Sequence, residues 1–345
     1  MDSFIKLFFS ILLISSLIFG EINGVESSSS NHHHHRHHHP HLSGPKKLFV
    51  FGDSYADTGN IKKPHAASWK VPYGNTFPGK PSGRFSDGRV STDYLARLFG
   101  IKTPFAYLWK DYVGKDRLRY GMNFAYGGTG VFNTKSTSPN MTIQINLFEQ
   151  LLGDIYSQSD SSSLALVSIA GNDYSNYLAL NRSIAALPIF IKQVVDQTEL
   201  NLRRIHALGV KNIAIPSLQP LGCLPRYTSS QGCNETFNAL VKYHNSLLEK
   251  VVGKLNNETN HSTFAIIDFY NAFLTVFKNK GVNPGDKSFE TPLKPCFAKA
   301  VVGMWMRRVQ LMSAFFWDGL HPTQEGWKSV YSVLGKVLSA SLLKL

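Results

Sequence analysis

The sequence predicts an α/β fold, a three-layer α/β/α sandwich with a central parallel sheet. Short apolar runs, typical of buried strands, alternate with segments in which apolar residues recur at helical spacing. Strands that alternate with helices are joined by right-handed crossovers, so the strands lie parallel and the helices cover both faces of the sheet. The roughly 300 residues from Lys46 onward can form one large core, and no linker or repeat divides them.

The strands and helices follow from these patterns in order. Buried strands are predicted over Leu48–Phe51, Leu164–Ala170, Asn212–Ile215 and Phe264–Asp268. Pro188 suits the first turn of a helix and Gly209 its end. Amphipathic helices are predicted over Asp87–Phe99, Thr142–Leu152, Pro188–Gly209, Phe237–Val251 and Glu325–Leu342.

The amino terminus is predicted to be a signal peptide over residues 1–24. Lys6 is followed by thirteen mostly apolar residues, Leu7–Phe19, whereas a membrane span needs about 20. Residues 25–45 follow as a His/Ser-rich, disordered leader with eight histidines. A single folded domain then covers 46–345, and the mature protein is expected to be secreted and soluble.

The net charge indicates possible partners of the protein, and the glycosylation sequons indicate export. The 36 Lys and Arg residues exceed the 23 Asp and Glu residues, for a net charge of +13, which outside the cell favours attraction to acidic wall polysaccharide or a membrane surface. The cations are scattered and form no basic stripe, so nucleic acid is not an expected partner. Five sequons fit export, with acceptors at Asn140, Asn181, Asn234, Asn257 and Asn260.

The chain has three cysteines, Cys223, Cys233 and Cys296. Thiols of an exported protein tend to pair. Cys223 and Cys233 would close a short loop, and we expect this disulfide to form away from the reaction. Cys296 is then either a buried thiol or a cysteine that has lost its partner.

Polar residues of a catalytic type occur in four blocks along the chain. These are Phe51–Asn60 (FGDSYADTGN), Asn123–Gly130 (NFAYGGTG), Gly171–Asp173 (GND) and Phe316–Thr323 (FWDGLHPT). In this order they resemble the plant GDSL esterase/lipase family, a branch of the SGNH hydrolases, over about 46–342. The resemblance implies a flavodoxin-like sandwich and the hydrolysis of carboxylic esters.

Acyl transfer explains the residue types in the first and last blocks. A serine hydroxyl becomes a good nucleophile only when a base takes its proton, and histidine is suited to this because its ordinary pKa lies near working pH. Asp318 lies three residues before His321, a spacing that puts both side chains on one side of a tight or helical turn. We therefore predict Ser54 as nucleophile, His321 as base and Asp318 as its orienting carboxylate.

The resemblance also implies an oxyanion hole, which holds the negative charge of a tetrahedral intermediate. Its donors would be the backbone N–H groups of Ser54 and Gly128 and the side-chain amide of Asn172. Gly127 is an alternative to Gly128, and Asn172 could instead be only a turn residue. Asp57 and Asn60 are interpreted as turn-forming and helix-capping residues.

Three functions remain open at this point. The first is a monomeric ester hydrolase with no metal or organic cofactor, whose substrate is a small-molecule ester, a lipid, an acetylated wall polysaccharide or a phenolic ester. The second is an acyltransferase that uses the same residues. The third is a non-catalytic glycoprotein that keeps the fold. In place of a longer polar stretch of the family, this chain has the basic segment Ala298–Met312, which could displace the loop before Asp318.

Overall fold

The computed structural model describes residues 44–157, 160–169, 171–230, 232–296 and 313–341. The predicted signal peptide, most of the predicted leader and the segment Ala298–Met312 lie outside the described residues. No helix in the described ranges is long and apolar enough to cross a membrane.

Six parallel strands form one sheet in the order β2-β3-β1-β4-β5-β6. Along their shared edge, β1 pairs with β4 from Lys47 opposite Ser163 to Gly52 opposite Ser168. The strands are β1 (Lys47–Gly52), β2 (Phe105–Ala106), β3 (Met122–Asn123), β4 (Asp160–Ser168), β5 (Val210–Pro216) and β6 (Phe264–Ile267). Without the two-residue β2, the order is that of a flavodoxin-like sheet.

Helices connect the strands and cover the sheet. They are α1 (Ser91–Leu98), α2 (Lys115–Leu118), α3 (Met141–Glu149), α4 (Gly171–Ala179), α5 (Leu187–Ala207), α6 (Glu235–Thr259), α7 (Phe269–Asn279) and α8 (Gln324–Ser341). Short 3₁₀ turns lie at Lys63–His65, Ala67–Trp69, Tyr107–Trp109, Ile184–Ala186 and Leu221–Cys223.

Strand β1 is apolar because both faces of the sheet are covered. Its side chains alternate between two cores: Leu48 and Val50 belong to one, which includes residues of α1, α7 and α8, and Phe49 and Phe51 to the other, which includes residues of α3, α5 and α6. All four are at most 2% exposed. A strand buried on both faces reads as a continuous apolar run, which is the pattern that predicted it.

The predicted sandwich is confirmed, with differences in its elements. The four predicted strands are present, although β4 ends at Ser168, and Ala170 lies outside the described residues. Strands β2 and β3 were missed because two residues are too few to show a period. The helix predicted from Asp87 begins only at Ser91. Helices α2, α4 and α7 were also not predicted.

The order of the strands creates a switch point beside β1. Strand β1 lies between β3 and β4, so the connections from these strands run in opposite directions and leave a crevice at the carboxyl ends. Ser54 follows β1 and Asn172 lies in the first turn of α4, after β4. The fold therefore brings these two residues to one edge.

Candidate active site

Ser54 lies in a tight turn directly after β1. Gly52 ends the strand with a φ of 154°, and a Cβ at this position would lie 2.2 Å from the carbonyl oxygen of Ser168 on β4. Glycine is therefore required where the two strands approach. The turn is closed by Asp53, whose Oδ1 accepts the backbone N–H of Tyr55 at 3.0 Å. Ser54 is 8% exposed and lines a pocket at this edge.

The structure brings the three predicted residues Ser54, His321 and Asp318 into one chain of hydrogen bonds. His321 Nε2 lies 2.8 Å from Ser54 Oγ, and His321 Nδ1 lies 2.8 Å from Asp318 Oδ2. A tight turn, not a helix, sets the spacing, because Asp318 Oδ1 accepts the backbone N–H groups of Leu320 and His321. One ring nitrogen is thus held by the carboxylate and the other faces the hydroxyl.

Asp318 is held as an anion. Burial raises the pKa of this carboxyl, but the charge and ring N–H of His321 and the two backbone N–H groups outweigh burial and lower its pKa to about 2. A carboxylate that stays charged can hold the imidazole in one tautomer and stabilise the imidazolium that forms when the ring takes a proton.

Two aromatic rings flank His321. Tyr55 meets it edge-on at 5.9 Å between ring centroids, and Phe85 lies at 5.0 Å. Phe85 also packs on Gly127, where an added Cβ would lie 2.3 Å from a ring carbon. Phe85 therefore fills the space between His321 and Gly127 of the second block.

Sequence reasoning missed the segment 84–89, which contains Phe85 and braces the loop of His321. Ser86 Oγ donates to the carbonyl of Pro322 at 3.0 Å, and Asp87 Oδ1 accepts the backbone N–H of Gln324 at 2.7 Å. The sequence signal for this segment was its glycine, Gly88. The structure shows why glycine is needed there, because an added Cβ would lie 2.5 Å from the side chain of Gln324.

Two buried carboxylates hold the loop of the second block at its two ends. Asp57 Oδ2 accepts the backbone N–H of Gly127 at 2.9 Å, and Asp173 accepts those of Val131 and Phe132 at 2.9 and 3.0 Å. Burial raises the pKa of each carboxyl to about 6, although these N–H donors lower it. Asp57 thus forms its predicted turn and also fixes a second loop.

The interpretation of Asn60 as a helix cap is wrong. Its Nδ2 donates to the carbonyls of Asn123 and Ala125 at 2.8 and 2.9 Å, and its Oδ1 accepts the backbone N–H of Leu108. Asn60 therefore joins the first block to the second. The capping interpretation failed because the partners lie more than 45 residues away.

The structure distinguishes the two adjacent glycines. The N–H of Gly127 is donated to Asp57, whereas the N–H of Gly128 has no acceptor within the described residues. Gly128 has a φ of 80°, so a side chain there would strain the backbone. Its neighbours Tyr126 and Thr129 both donate to the carbonyl of Gly52, which places the loop beside the serine turn.

Asn172 lies beside the same loop, and its amide has partners. Its Nδ2 donates to the carbonyl of Thr129 at 3.0 Å and lies 3.4 Å from Asp53 Oδ2. The second contact is long and weak. Burial raises the pKa of Asp53 to about 7, against the lowering effect of the Tyr55 N–H and the charge of His321.

A pocket of about 530 Å³, open mouth included, begins at Ser54. Its apolar wall includes Leu218, Leu221 and Leu224 from the segment after β5, together with Phe269 at the start of α7.

The structure contains the predicted disulfide between Cys223 and Cys233. Leu221 and Leu224 lie within two residues of Cys223, whereas neither cysteine lines the pocket, so the placement of this bond away from the reaction stays a prediction.

The sequon asparagines lie at helix ends or on the surface. The side chains of Asn140 and Asn234 cap the first turns of α3 and α6. Asn181 and Asn260 are left-handed residues with φ of 52° and 54°, and Asn257 is exposed on α6. Asn140 is half-buried and the other four are exposed, so the predicted glycan sites are at accessible positions.

A family model described as GDSL-like Lipase/Acylhydrolase matches residues 48–334, a range that contains all four blocks. The chain is 64% identical over 364 residues to GDSL esterase/lipase At5g03610 of Arabidopsis thaliana, with 100% of both chains covered. It is 59% identical over 315 residues to GDSL esterase/lipase At3g09930 of the same plant, covering 86% of this chain and 89% of the relative.

A more distant similarity is to a named esterase. The chain is 32% identical over 262 residues to Acetylajmalan esterase 2 of Rauvolfia serpentina, covering 67% of this chain and 71% of the relative.

Proposed function

The chain belongs to the GDSL-like lipase/acylhydrolase family and is a carboxylic ester hydrolase, and we propose that it works through an acyl-enzyme formed on Ser54. The observation that carries this proposal is the position of His321, with Nε2 2.8 Å from Ser54 Oγ and Nδ1 2.8 Å from Asp318 Oδ2. A nucleophile, a base and an orienting carboxylate in this sequence of contacts are what acyl transfer requires.

The first half of the proposed reaction forms the acyl-enzyme. Ser54 Oγ attacks the ester carbonyl carbon while His321 Nε2 takes the hydroxyl proton. The resulting imidazolium, stabilised by Asp318, then gives that proton to the leaving alkoxide, and the bond between the carbonyl carbon and the alcohol oxygen breaks.

Three donors are proposed for the oxyanion. The backbone N–H groups of Ser54 and Gly128 have no acceptor within the described residues, so both are available to a ligand. The side-chain amide of Asn172 uses one hydrogen for the carbonyl of Thr129, and its second faces Asp53 at 3.4 Å. An oxyanion would replace this weak contact with a charge-assisted hydrogen bond. The engagement of Gly127 with Asp57 favours Gly128 as the backbone donor.

The second half returns the free enzyme. His321 takes a proton from a water molecule, the water oxygen attacks the acyl carbon, and the carboxylic acid leaves as Ser54 recovers its proton. An alcohol acceptor in place of water would give acyl transfer with the same residues.

Family membership implies a small-molecule ester or a lipid as substrate. We propose that the acyl or alcohol group next to the scissile bond contacts the leucines of the pocket wall, because these apolar side chains line the same pocket as Ser54. The related acetylajmalan esterase is consistent with a small ester.

We also propose that the protein is exported. The predicted signal peptide, the accessible sequon asparagines and the disulfide support this. In that compartment, the net charge of +13 would favour contact with acidic polysaccharide or a membrane surface.

The acyl-enzyme is tested by labelling with a fluorophosphonate, a probe that requires an activated serine. We expect the wild type to be labelled at Ser54, the Ser54→Ala variant to remain unlabelled, and His321→Gln to be labelled much more slowly. Ser163→Ala, a change at another buried serine on β4, is the control and should be labelled like the wild type. A folded wild type that resists the probe, or a label on another serine, would reject the mechanism.

A further inference from the structure

The carboxylate of Asp318 has a hydrogen-bond partner that the mechanism above does not use. The phenol of Tyr73 donates to Asp318 Oδ2 at 2.8 Å, across 245 residues of sequence. Burial and the charge of Asp318 raise the pKa of Tyr73 far above its usual value, so the phenol remains a donor over the whole working pH range.

The other donors to this carboxylate are local. The backbone N–H groups of Leu320 and His321 and the ring N–H of His321 all belong to the turn that Asp318 itself starts. Among the described residues, Tyr73 is the only residue outside the segment 317–323 that donates a hydrogen bond to this carboxylate. It is therefore the contact that ties the carboxylate to the rest of the molecule.

The surroundings of Tyr73 hold its hydroxyl in place. Tyr73 is 7% exposed, and its ring meets Trp317 edge-on at 5.6 Å between centroids. The next residue, Gly74, donates its backbone N–H to the carbonyl of Ser86 at 3.0 Å. Ser86 in turn donates to Pro322, next to the base. The loop of Tyr73 and the loop of His321 are thus joined at two points.

We propose that Tyr73 is a positioning residue that acts through Asp318: its phenol holds Oδ2 and disperses the carboxylate charge that faces the imidazole. This inference rests on the proposed function, because it assigns Tyr73 a role only if Asp318 and His321 serve Ser54. The donor has two effects. It restricts rotation of the carboxylate, and it makes the carboxylate a weaker proton acceptor, so that the proton remains on the imidazole.

Removing the hydroxyl therefore has a signature in the pH profile. A carboxylate with one donor fewer carries a more concentrated charge and stabilises the protonated imidazole more strongly. The base form of His321 is then populated only at higher pH, so the acid limb of the kcat/KM profile moves to higher pH. A residue that only supported the fold would lower thermal stability without moving this limb.

The test compares Tyr73→Phe with Tyr94→Phe in hydrolysis of a p-nitrophenyl ester between pH 5 and 8. Tyr94 also donates its hydroxyl near the base, to the carbonyl of Gln324 at 2.8 Å, but not to Asp318. In Tyr73→Phe we expect kcat to fall about tenfold with little change in KM, and the acid limb to move to higher pH. In Tyr94→Phe both should match the wild type.

A second variant keeps the packing intact in case Tyr73→Phe does not fold. Site-specific replacement of Tyr73 by 3-fluorotyrosine retains the ring and the hydroxyl but supplies a more acidic donor. We expect it to move the acid limb to lower pH, opposite to Tyr73→Phe. An acid limb that stays in place in the folded variants would overturn the proposal.

The outcomes separate this inference from the proposed function. If Ser54→Ala and His321→Gln are inactive while Tyr73→Phe behaves like Tyr94→Phe, only the role of Tyr73 is rejected. If Ser54→Ala hydrolyses the ester like the wild type, the proposed mechanism is rejected and the role of Tyr73 with it.

Discussion

The role proposed for Asn172 combines support of the fold with a part in the reaction. Its amide supports the second-block loop through the carbonyl of Thr129, and its second hydrogen has only a long contact with Asp53. The first bond would hold the amide in the orientation that an oxyanion requires before the substrate arrives. A turn residue and a catalytic donor are therefore compatible descriptions of Asn172.

We predict that Asn172→Ala lowers kcat by about 10² to 10³ and leaves KM nearly unchanged, because its amide meets negative charge that exists only in the transition state. Loss of the bond to Thr129 should also cost about 1 kcal/mol of unfolding free energy. Steady-state kinetics and thermal unfolding on the same preparation measure both effects.

Asn256→Ala is the matched control for that experiment. Asn256 makes two hydrogen bonds to the backbone of Phe264, at the start of β6 and away from the site. It should cost stability and leave kcat unchanged. A normal kcat in folded Asn172→Ala would remove Asn172 from the oxyanion hole.

At the scale of elements, the turn Leu221–Cys223 connects the disulfide to the pocket. Leu221 and Leu224 line the pocket, and Cys223 between them is bonded to Cys233. Gly222 in this turn donates its backbone N–H to Asn238 on α6 at 2.9 Å. The wall of the pocket is thus held by a covalent bond and by a helix.

The double change Cys223→Ala and Cys233→Ala is predicted to affect both stability and binding. Opening a loop of this length should lower the unfolding free energy by about 2 to 3 kcal/mol in the chain-entropy model. KM should rise more than kcat falls, because in the proposed function these leucines contact the substrate but not the reacting atoms. Denaturant unfolding and kinetics well below the lowered melting temperature check these two effects.

Two results would contradict these predictions. Mass mapping without reductant that found both cysteines of the wild type as thiols would contradict the bond. An unchanged KM in a destabilised variant would contradict the contribution of the turn to the pocket wall.

At the scale of the whole molecule, buried carboxyls beside the site couple stability to pH. Burial raises the pKa of Asp173 to about 6, above the unfolded value of about 3.9. The folded state therefore binds more protons in this interval, and the stabilising contribution is present below about pH 4 and lost as pH rises through 6. His244 acts in the opposite sense, because burial lowers its pKa to about 4 and its contribution is lost as pH falls toward that value.

We predict that the wild type loses stability on going from pH 4 to pH 7 and that Asp173→Asn removes part of this loss, since the amide cannot ionise. Melting temperatures across this range measure the slope for each protein. Asp196→Asn, a change at an exposed aspartate of α5, is the control and should keep the wild-type slope. Equal slopes for wild type and Asp173→Asn would contradict the coupling.

The sequence by itself determined the class of fold and the residues of the chemistry. A strand buried on both faces must be apolar throughout, so β1, β4, β5 and β6 were visible as runs. Ser54, Asp318 and His321 were predicted because acyl transfer restricts the residue types that can serve. The role of Asn172 was implied by the family resemblance that the four ordered blocks carry.

The tertiary structure alone decided which groups meet. The contacts of Tyr73 with Asp318, and of Asp57 with Gly127, join residues 245 and 70 positions apart. No local period or spacing records such pairs, because they depend on how loops at the sheet edge pack. The proposal of Gly128 over Gly127 as oxyanion donor rests on one of these bonds, the one between Asp57 and Gly127. The physical reason is that local sequence patterns fix backbone conformation and burial, whereas hydrogen-bond partners across loops are fixed only when the whole chain has folded.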